Sequence, residues 1–222
     1  MTRDDAAARV ARLMPTRLLR GYAGSKLRSD PVYRAAVAHL EDRHQPIFDL
    51  GCGIGLLGFY LRERGIDVPV RGVDHDAEKV AAASAVGKRY AGLEFQRGDA
   101  RDPVPGGMNV VALDILHYFT AGEQQIILDS IATAIPPGGV AIIRDAVRDG
   151  SIRYRLTAAQ ETFSRAIRWL KAERLNFPTR EQILQPFRAR GFEIEVSPLW
   201  GRTPFNNYLF VFKRSGAGTT KV

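Results

Sequence analysis

Residues 47–55 read Ile-Phe-Asp-Leu-Gly-Cys-Gly-Ile-Gly. The apolar start is typical of a short buried strand, and the glycines that follow let the backbone turn sharply and approach a ligand closely. Apolar residues between positions 56 and 61 come next at helical spacing. We therefore expect a strand, a glycine turn and a helix whose first N–H groups can face a ligand. The turn alone is a weak signal, because residues 53–58 also satisfy the Gly-x-Gly-x-x-Gly pattern of dinucleotide-binding proteins.

Strands and helices alternate on the C-terminal side of this unit. The predicted strands are 47–50, 70–73, 93–96, 110–113 and 140–143, and the predicted helices begin at Leu56 and cover about 77–86 and 123–135. This alternation predicts β-α-β units, a parallel sheet and helices on both of its faces.

The flanking segments have a different character. Residues 1–30 predict a helix broken at Pro15 and a second helical piece. Beyond strand five, an arginine-rich stripe of helical spacing covers about 150–176, and we expect it to lie over the site as a helical roof. Thr179 and Gln182 predict a capping box for a further helix. Two final strands, 192–196 and 207–212, are expected to be antiparallel.

Acidic residues stand at the ends of the first three strands. Asp49 lies two residues before the glycine turn, where it would suit a cationic ligand and oppose a pyrophosphate. Asp74 ends strand two, where a carboxylate can accept both hydroxyls of a ribose. Asp99 ends strand three and is suited to accept the exocyclic amine of an adenine. The alternatives are that Asp74 caps the next helix and that Asp99 is only a turn residue.

These motifs resemble those of the class I S-adenosylmethionine-dependent methyltransferases. Residues 49–55 match the first motif of that family, and Gly72-Val73-Asp74, Gly98-Asp99-Ala100 and residues 109–118 look like the next three. The resemblance implies an α/β, Rossmann-like doubly wound sheet of seven strands, in the order 3-2-1-4-5-7-6 with strand 7 antiparallel. It divides the chain into an N-terminal helical cap segment (1–46), a methyltransferase domain (47–214) and a flexible tail (215–222).

The same resemblance implies the ligand and its contacts. The methyl donor is S-adenosyl-L-methionine, the product is S-adenosyl-L-homocysteine, and no metal is expected. The residues expected to bind the donor are Asp49, Gly51, Cys52, Gly53, Gly55, Asp74, His75, Asp99, Ala100 and Asp114. We interpret Cys52 as a small side chain that fills space, because nothing nearby in sequence would activate its thiol.

The segment after strand four supplies the candidate catalytic residues. A hydroxyl acceptor loses a proton when it is methylated, so a base with a pKa near neutrality assists the transfer. His117 is the first candidate for that base, and Asp145, just after strand five, and Tyr154 are weaker ones. The alternative interpretation of His117 is a packing residue.

The acceptor is predicted to be a small molecule. Amino-directed nucleic-acid methyltransferases of this fold carry Asn/Asp-Pro-Pro-Tyr/Phe where this chain has Asp-Ile-Leu-His at residues 114–117. We therefore favour a hydroxyl (phenolic) or a carbon nucleophile over a nucleobase amine. The alternatives are an RNA or protein methyltransferase and a cofactor-binding protein without catalytic activity.

A second, looser resemblance is to methyltransferases of bacterial aryl-polyene and related pigment pathways. It depends on residues 20–22 and 26–28 together with residues 113–118, and it implies a role in secondary metabolism. In such pathways an acidic acyl carrier protein can present the acceptor, so the basic surface of this chain would have a partner.

Composition and charge exclude several classes of protein. The single cysteine excludes a disulfide scaffold, and no apolar run is long enough to span a bilayer. A cytoplasmic enzyme with no nucleic-acid partner is the expectation. The net charge of +8 is unevenly placed, since residues 47–143 carry 8 basic and 12 acidic side chains. The basic excess therefore flanks the predicted cofactor half, where it would attract anionic acceptors or partners.

Overall fold

A computed structural model describes residues 3–151, 153–154, 175–200 and 206–216. Its helices are α1 Arg3–Leu13, α2 Arg17–Ser29, α3 Val32–Leu40, α4 Leu56–Glu63, α5 Ala77–Gly87, α6 Ala121–Ala134 and α7 Arg180–Arg188, with a short 3-10 helix at Leu116–Tyr118. Its strands are β1 Ile47–Leu50, β2 Val70–Asp74, β3 Leu93–Arg97, β4 Asn109–Leu113, β5 Val140–Ala146, β6 Glu193–Pro198 and β7 Asn207–Lys213. No helix in these ranges is long and apolar enough to cross a membrane.

The strands form one sheet in the order β3-β2-β1-β4-β5-β7-β6. The first five strands in that order are parallel, and β7 runs antiparallel to both of its neighbours. The predicted fold and strand order are therefore confirmed. In the centre, Leu50 of β1 lies opposite Val73 of β2 and Ala112 of β4, so the segments that follow these three strands emerge side by side at one edge of the sheet.

Two hydrophobic cores cover the two faces of the sheet. On one face, residues of α1 to α5 pack against alternate side chains such as Val111 and Ile142. On the other face, α6 and α7 pack against the intervening side chains, including Val110 and Ile143. Because neighbouring residues of a strand point to opposite faces, each central strand contributes to both cores.

Capping side chains set the start of three helices near the site. The predicted capping box of Thr179 and Gln182 is confirmed at α7, and an equivalent box of Thr120 and Glu123 begins α6. At α5 the capping residue is Asp76, whose carboxylate accepts from the backbone of Glu78 and Lys79. Asp74 is therefore not the cap of α5.

Two strand bounds differ from the predicted ones in ways that bear on the site. Strand β5 runs on to Ala146, because β7 pairs along its whole length and sets Tyr208 opposite Asp145. Asp145 thus lies inside the strand, and the prediction that it follows the strand was wrong. Strand β3 ends at Arg97, so Asp99 lies in the loop beyond it. Most of the predicted helical roof falls outside the described residues, except for Arg153, Tyr154 and the end of the span near residue 176.

Candidate functional site

The glycine turn after β1 has a backbone shape that favours glycine. Gly51, Gly53 and Gly55 all have positive φ angles, of 79°, 53° and 78°. A Cβ on Gly51 would lie 2.2 Å from Cγ2 of Ile115, whereas a Cβ on Gly53 would meet nothing within 4 Å. The turn therefore packs tightly against the segment after β4 on one side and is open at Gly53 on the other. An open backbone of this kind is what a closely bound ligand requires.

Asp49 is a buried carboxylate with an unused oxygen. Its residue is 2% exposed, and among the described residues its Oδ2 has no hydrogen-bond partner. Burial, together with the nearby Asp74 carboxylate, raises the pKa of Asp49 to about 7. A cation bound beside Asp49 would reverse this effect by stabilising the ionised carboxylate.

Asp74 fixes the shape of the glycine turn. Its Oδ2 accepts a hydrogen bond of 2.9 Å from the backbone N–H of Gly53, and its Oδ1 accepts one of 2.9 Å from Asp76. The residue is 9% exposed, and neighbouring His75 is largely exposed. Asp74 therefore lies at the predicted ribose position, with part of its capacity to accept hydrogen bonds already used by the turn.

Asp99 is engaged by a neighbouring arginine. It accepts from the backbone N–H and the side chain of Arg101, and these bonds hold the pKa of Asp99 down at about 2. Arg101 also donates to Glu123 at 2.7 Å. An adenine amine at Asp99 would therefore share the carboxylate with Arg101. Ala100, the next residue, packs against the second core.

Cys52 is a buried residue inside the turn. The backbone N–H of Cys52 donates to the carbonyl oxygen of Val73 at 2.9 Å. A Cβ added to Gly72 would lie 2.8 Å from the Cβ of Cys52. Burial, helped by Asp49, raises the pKa of the Cys52 thiol well above its usual range. The side chain therefore fills space and is poorly suited to nucleophilic chemistry, as its position between two glycines suggested.

The three candidate catalytic residues are connected through His117 and Phe177. Nδ1 of His117 is 2.7 Å from Oδ1 of Asp145, and the His117 ring stacks on Phe177 with centroids 5.5 Å apart. The Tyr154 ring meets the Phe177 ring edge-on, with centroids 5.9 Å apart. Asp145 is completely buried and also accepts from the backbone N–H of Leu116 at 2.8 Å. The structure thus joins two predicted candidates as a histidine–aspartate pair.

Gln124 of α6, which sequence reasoning missed, helps to hold this pair. Its Nε2 lies 3.0 Å from the carbonyl oxygen of Leu116, 3.1 Å from that of Phe119 and 2.6 Å from that of Asn176. Gln124 is 1% exposed. It therefore connects the segment 116–119, which contains His117, with Asn176, the residue before Phe177. Its only sequence signal was a polar residue within an apolar helical stripe.

Asp114 belongs to a cluster of four charged side chains that sequence reasoning also missed. Its Oδ2 is 2.6 Å from Nη2 of Arg144 and 3.7 Å from Nζ of Lys26. Asp30, at the end of α2, binds the same two cations, at 2.7 Å and 2.8 Å. Asp114 is also the only non-glycine residue with a positive φ in the described part of the chain, at 59°. The sequence signal was Arg144, a charged residue that directly follows the apolar run 140–143.

The seven-stranded sheet with its antiparallel seventh strand is the architecture of a class of protein. Solved methyltransferases share this fold with the chain. The magnesium protoporphyrin IX methyltransferase of Synechocystis PCC 6803, solved with bound SAH, has a TM-score of 0.64 and 17% identity over 96% of this chain and 98% of that one. An O-methyltransferase family protein from Burkholderia thailandensis has a TM-score of 0.68 and 19% identity over 96% of this chain and 64% of that one. At these identities the likeness shows the fold alone.

Sequence comparison shows which proteins the chain is similar to. Residues 47–139 match the family model of a methyltransferase domain, and this stretch, with its motifs and strand order, is similar to the class I S-adenosylmethionine-dependent methyltransferases. Trans-aconitate 2-methyltransferase of Sinorhizobium medicae (strain WSM419) is 26% identical over 165 residues, which are 73% of this chain. The match spans 62% of the length of that relative.

The residues at the strand ends fit the donor that this class of domain uses. S-adenosylmethionine carries a positive sulfonium and an amino-acid group, and Asp49 offers a buried carboxylate oxygen without a partner among the described residues. The open side of Gly53 leaves space for close approach. Within the described ranges, no group of three His, Cys, Asp or Glu side chains is arranged to hold a metal ion.

Proposed function

We propose that this protein transfers a methyl group from S-adenosylmethionine to the hydroxyl oxygen of a small molecule. The observation that carries the proposal is the buried contact of 2.7 Å between His117 and Asp145. A histidine held by a buried carboxylate is the arrangement of a general base, and an acceptor with a proton to lose is the one that needs it. A phenol is the hydroxyl compound that best suits such a base, because its pKa is lower than that of an alcohol.

The donor would be held at the ends of the first three strands. Asp49 and the glycine turn 51–55 would face its methionine part, Asp74 its ribose, and Asp99 with Ala100 its adenine. His75 and Asp114 would lie beside the same ligand. When bound, S-adenosylmethionine supplies an electrophilic methyl group and leaves as S-adenosylhomocysteine.

His117 and Asp145 would handle the proton of the acceptor. An ionised Asp145 can only accept hydrogen bonds, so it favours the tautomer in which Nδ1 of His117 carries hydrogen and Nε2 is the basic nitrogen. Nε2 then accepts the hydroxyl proton, and Asp145 stabilises the resulting imidazolium. Tyr154, whose ring meets Phe177 edge-on, would contact the acceptor and help to exclude water from it.

A carboxylate acceptor is the second candidate. The rhizobial relative is named for trans-aconitate, a tricarboxylate that needs no base at neutral pH. The net charge of +8, with its excess outside residues 47–143, favours anionic acceptors. An acceptor attached to an acidic acyl carrier protein would use the same surface. Arg153 belongs to this basic excess, and its guanidinium carbon lies 4.5 Å from the centre of the Trp200 ring.

A methyl-transfer assay with a panel of acceptors separates these possibilities. The panel contains phenols, trans-aconitate, acyl thioesters and bulk RNA, and the readout is S-adenosylhomocysteine release. We expect turnover with at least one phenol. Turnover confined to trans-aconitate would favour the carboxylate acceptor, and turnover confined to RNA would contradict a small-molecule substrate. Donor binding with no turnover on any acceptor would favour a non-catalytic protein.

Substitution of His117 tests the base directly. With a phenolic acceptor, we expect His117→Gln to lower kcat about 100-fold or more, and Asp145→Asn to lower it and change its pH profile. His44→Gln is the matched control, because His44 is exposed and precedes β1. Unchanged kcat in His117→Gln would reduce His117 to a packing residue.

A further inference from the structure

We propose that Lys26 and Asp114 bind the amino-acid end of the methyl donor, Lys26 contacting its carboxylate and Asp114 its ammonium group. This inference rests on S-adenosylmethionine being the donor. It assigns a ligand-binding residue to α2, outside the segment that carries the motifs of the methyltransferase domain.

The location of Asp114 is the first step of the argument. Strands β1 and β4 are parallel neighbours with Leu50 opposite Ala112, so Asp114 follows β4 beside the start of the glycine turn. Ile115, the next residue, packs so closely that a Cβ on Gly51 would lie 2.2 Å from it. Asp114 therefore lies next to the loop expected to hold the methionine part.

The backbone of Asp114 is held in an unusual conformation. Its φ of 59° is left-handed, a conformation that is unfavourable for a non-glycine residue and is maintained by the surrounding structure. Arg144 provides that support twice, since its carbonyl oxygen accepts the Asp114 N–H at 2.8 Å and its Nη2 binds the carboxylate at 2.6 Å. Strain of this kind is concentrated at functional sites.

The four charged side chains of the cluster differ in solvent exposure: two are buried and two are partly exposed. The side chains of Arg144 and Asp30 are 4% and 11% exposed, whereas those of Lys26 and Asp114 are 29% and 32% exposed. Arg144 and Asp30 are thus positioning residues beneath the surface. Lys26 and Asp114 are the two members of the cluster that a ligand can reach.

The contact between Lys26 and Asp114 is long enough to be replaced. Nζ of Lys26 lies 2.8 Å from Asp30 but 3.7 Å from Asp114, beyond the usual hydrogen-bond range. Burial opposes the positive charge of Lys26, but Asp114 and Asp30 outweigh it and raise the pKa of Lys26. The ammonium is therefore charged when the ligand arrives, and only its weaker contact has to change.

The chemistry of the pair matches a zwitterion. An α-amino acid presents an ammonium and a carboxylate a few ångströms apart, and this pair presents one carboxylate and one ammonium side by side. Binding would replace a long contact with two charge-assisted hydrogen bonds and add no net charge to the cluster. The ammonium has three N–H donors, so a contact with Asp49 is compatible with one to Asp114.

Two ligands that differ in the amino-acid group test the inference. S-adenosylhomocysteine has that group, whereas 5′-methylthioadenosine keeps the adenosine and the sulfur without it. By calorimetry, we expect Lys26→Gln to weaken S-adenosylhomocysteine binding about tenfold or more, with methylthioadenosine changed less than about twofold. Asp114→Asn should act in the same direction, and Lys26→Arg should recover most of the loss. Arg28→Gln, an exposed cation on the same helix, is the control and should bind both ligands normally.

The possible results separate this inference from the proposed donor. If the unmodified protein binds neither ligand, the donor assignment is wrong. If it binds both, and Lys26→Gln weakens both equally or neither, then Lys26 does not contact the amino-acid group and the inference is overturned. Retained methylthioadenosine binding shows that the variant is folded at the adenosine side of the site.

Discussion

At the scale of single residues, the buried carboxyl group of Asp49 lowers the stability of the folded protein at neutral pH. It is buried, one of its oxygens is without a partner among the described residues, and its pKa is raised to about 7 by burial and by Asp74. An unfolded chain would ionise this carboxyl near pH 4. The folded protein therefore loses stability as the pH rises from about 4 to about 7, and the loss is complete above that range. A bound cation would offset it.

Asp49→Asn should therefore have opposite effects on stability and on binding. At pH 8 we expect the variant to be more stable by about 1–3 kcal/mol, because the buried charge is gone, while at pH 4 the two proteins should be equal. Urea unfolding at both pH values measures this. S-adenosylhomocysteine affinity at pH 8 should fall about tenfold or more. Asp42→Asn, at an exposed position, should change neither quantity, and lower stability of Asp49→Asn at pH 8 would contradict the account.

At the scale of elements, the end of β5 holds both sides of the segment after β4. Adjacent residues of a strand point to opposite faces of the sheet. Arg144 faces the N-terminal helices and binds Asp114 and Asp30, whereas Asp145 faces α6 and binds His117 and the Leu116 N–H. One strand end thus orients a proposed donor contact and the proposed base at the same time. Its extension to Ala146, absent from the sequence-based bounds, is what makes this possible.

Removal of the Arg144 side-chain charge should destabilise the protein strongly. Arg144→Met leaves the largely buried carboxylates of Asp30 and Asp114 with Lys26 as their one remaining shared cation, and we expect a loss of about 3–5 kcal/mol in unfolding free energy. Arg188→Met removes an exposed pair with Glu181, whose two side chains are 54% and 68% exposed, and should cost less than about 1 kcal/mol. Urea unfolding measures both losses. Equal losses of unfolding free energy in the two variants would show that the buried cluster stabilises the fold no more than an exposed ion pair does.

At the scale of the whole molecule, α1 to α3 are built into the domain. They share the core on one face of the sheet with α4 and α5. Arg9 of α1 pairs with Glu63 of α4, and Tyr90 donates to the same glutamate at 2.5 Å. The cap segment 1–46 is therefore attached both to α4 and, through Asp30, to β5. A ligand at the strand ends can stabilise α2 directly if Lys26 contacts it.

Hydrogen exchange should reveal this connection. S-adenosylhomocysteine is expected to slow amide exchange in α2 as well as in residues 49–58, because its amino-acid group would join the two segments. Methylthioadenosine should protect the glycine turn and leave α2 nearly unchanged. Mass spectrometry of peptides from both segments measures the effect. Equal protection of α2 by the two ligands would count against a role for Lys26, independently of affinity.

Local patterns predicted the strands and helices that build the sheet, and they indicated candidate residues for the donor side of the site. The strand order came through a family resemblance carried by short contiguous motifs, such as residues 49–55 and Gly72-Val73-Asp74. The physical basis of those motifs is local, because a positive φ favours glycine and because Asp49 and Asp74 lie at or near the ends of their own strands. The roles of the donor-binding residues stay predictions, although Asp49 and Gly53 have the burial and the open space that such roles need.

Long-range pairing could not be predicted in this way. His117 meets Asp145 across 28 positions, and Asp30 meets Arg144 across 114. These contacts depend on how far β5 extends and on which face each of its residues points to, and both are set by the pairing of β5 with β4 and β7. A sequence motif encodes the bend of its own backbone. The partner of a buried charge is chosen by the packing of distant elements, because only the folded chain brings the two side chains within hydrogen-bond range.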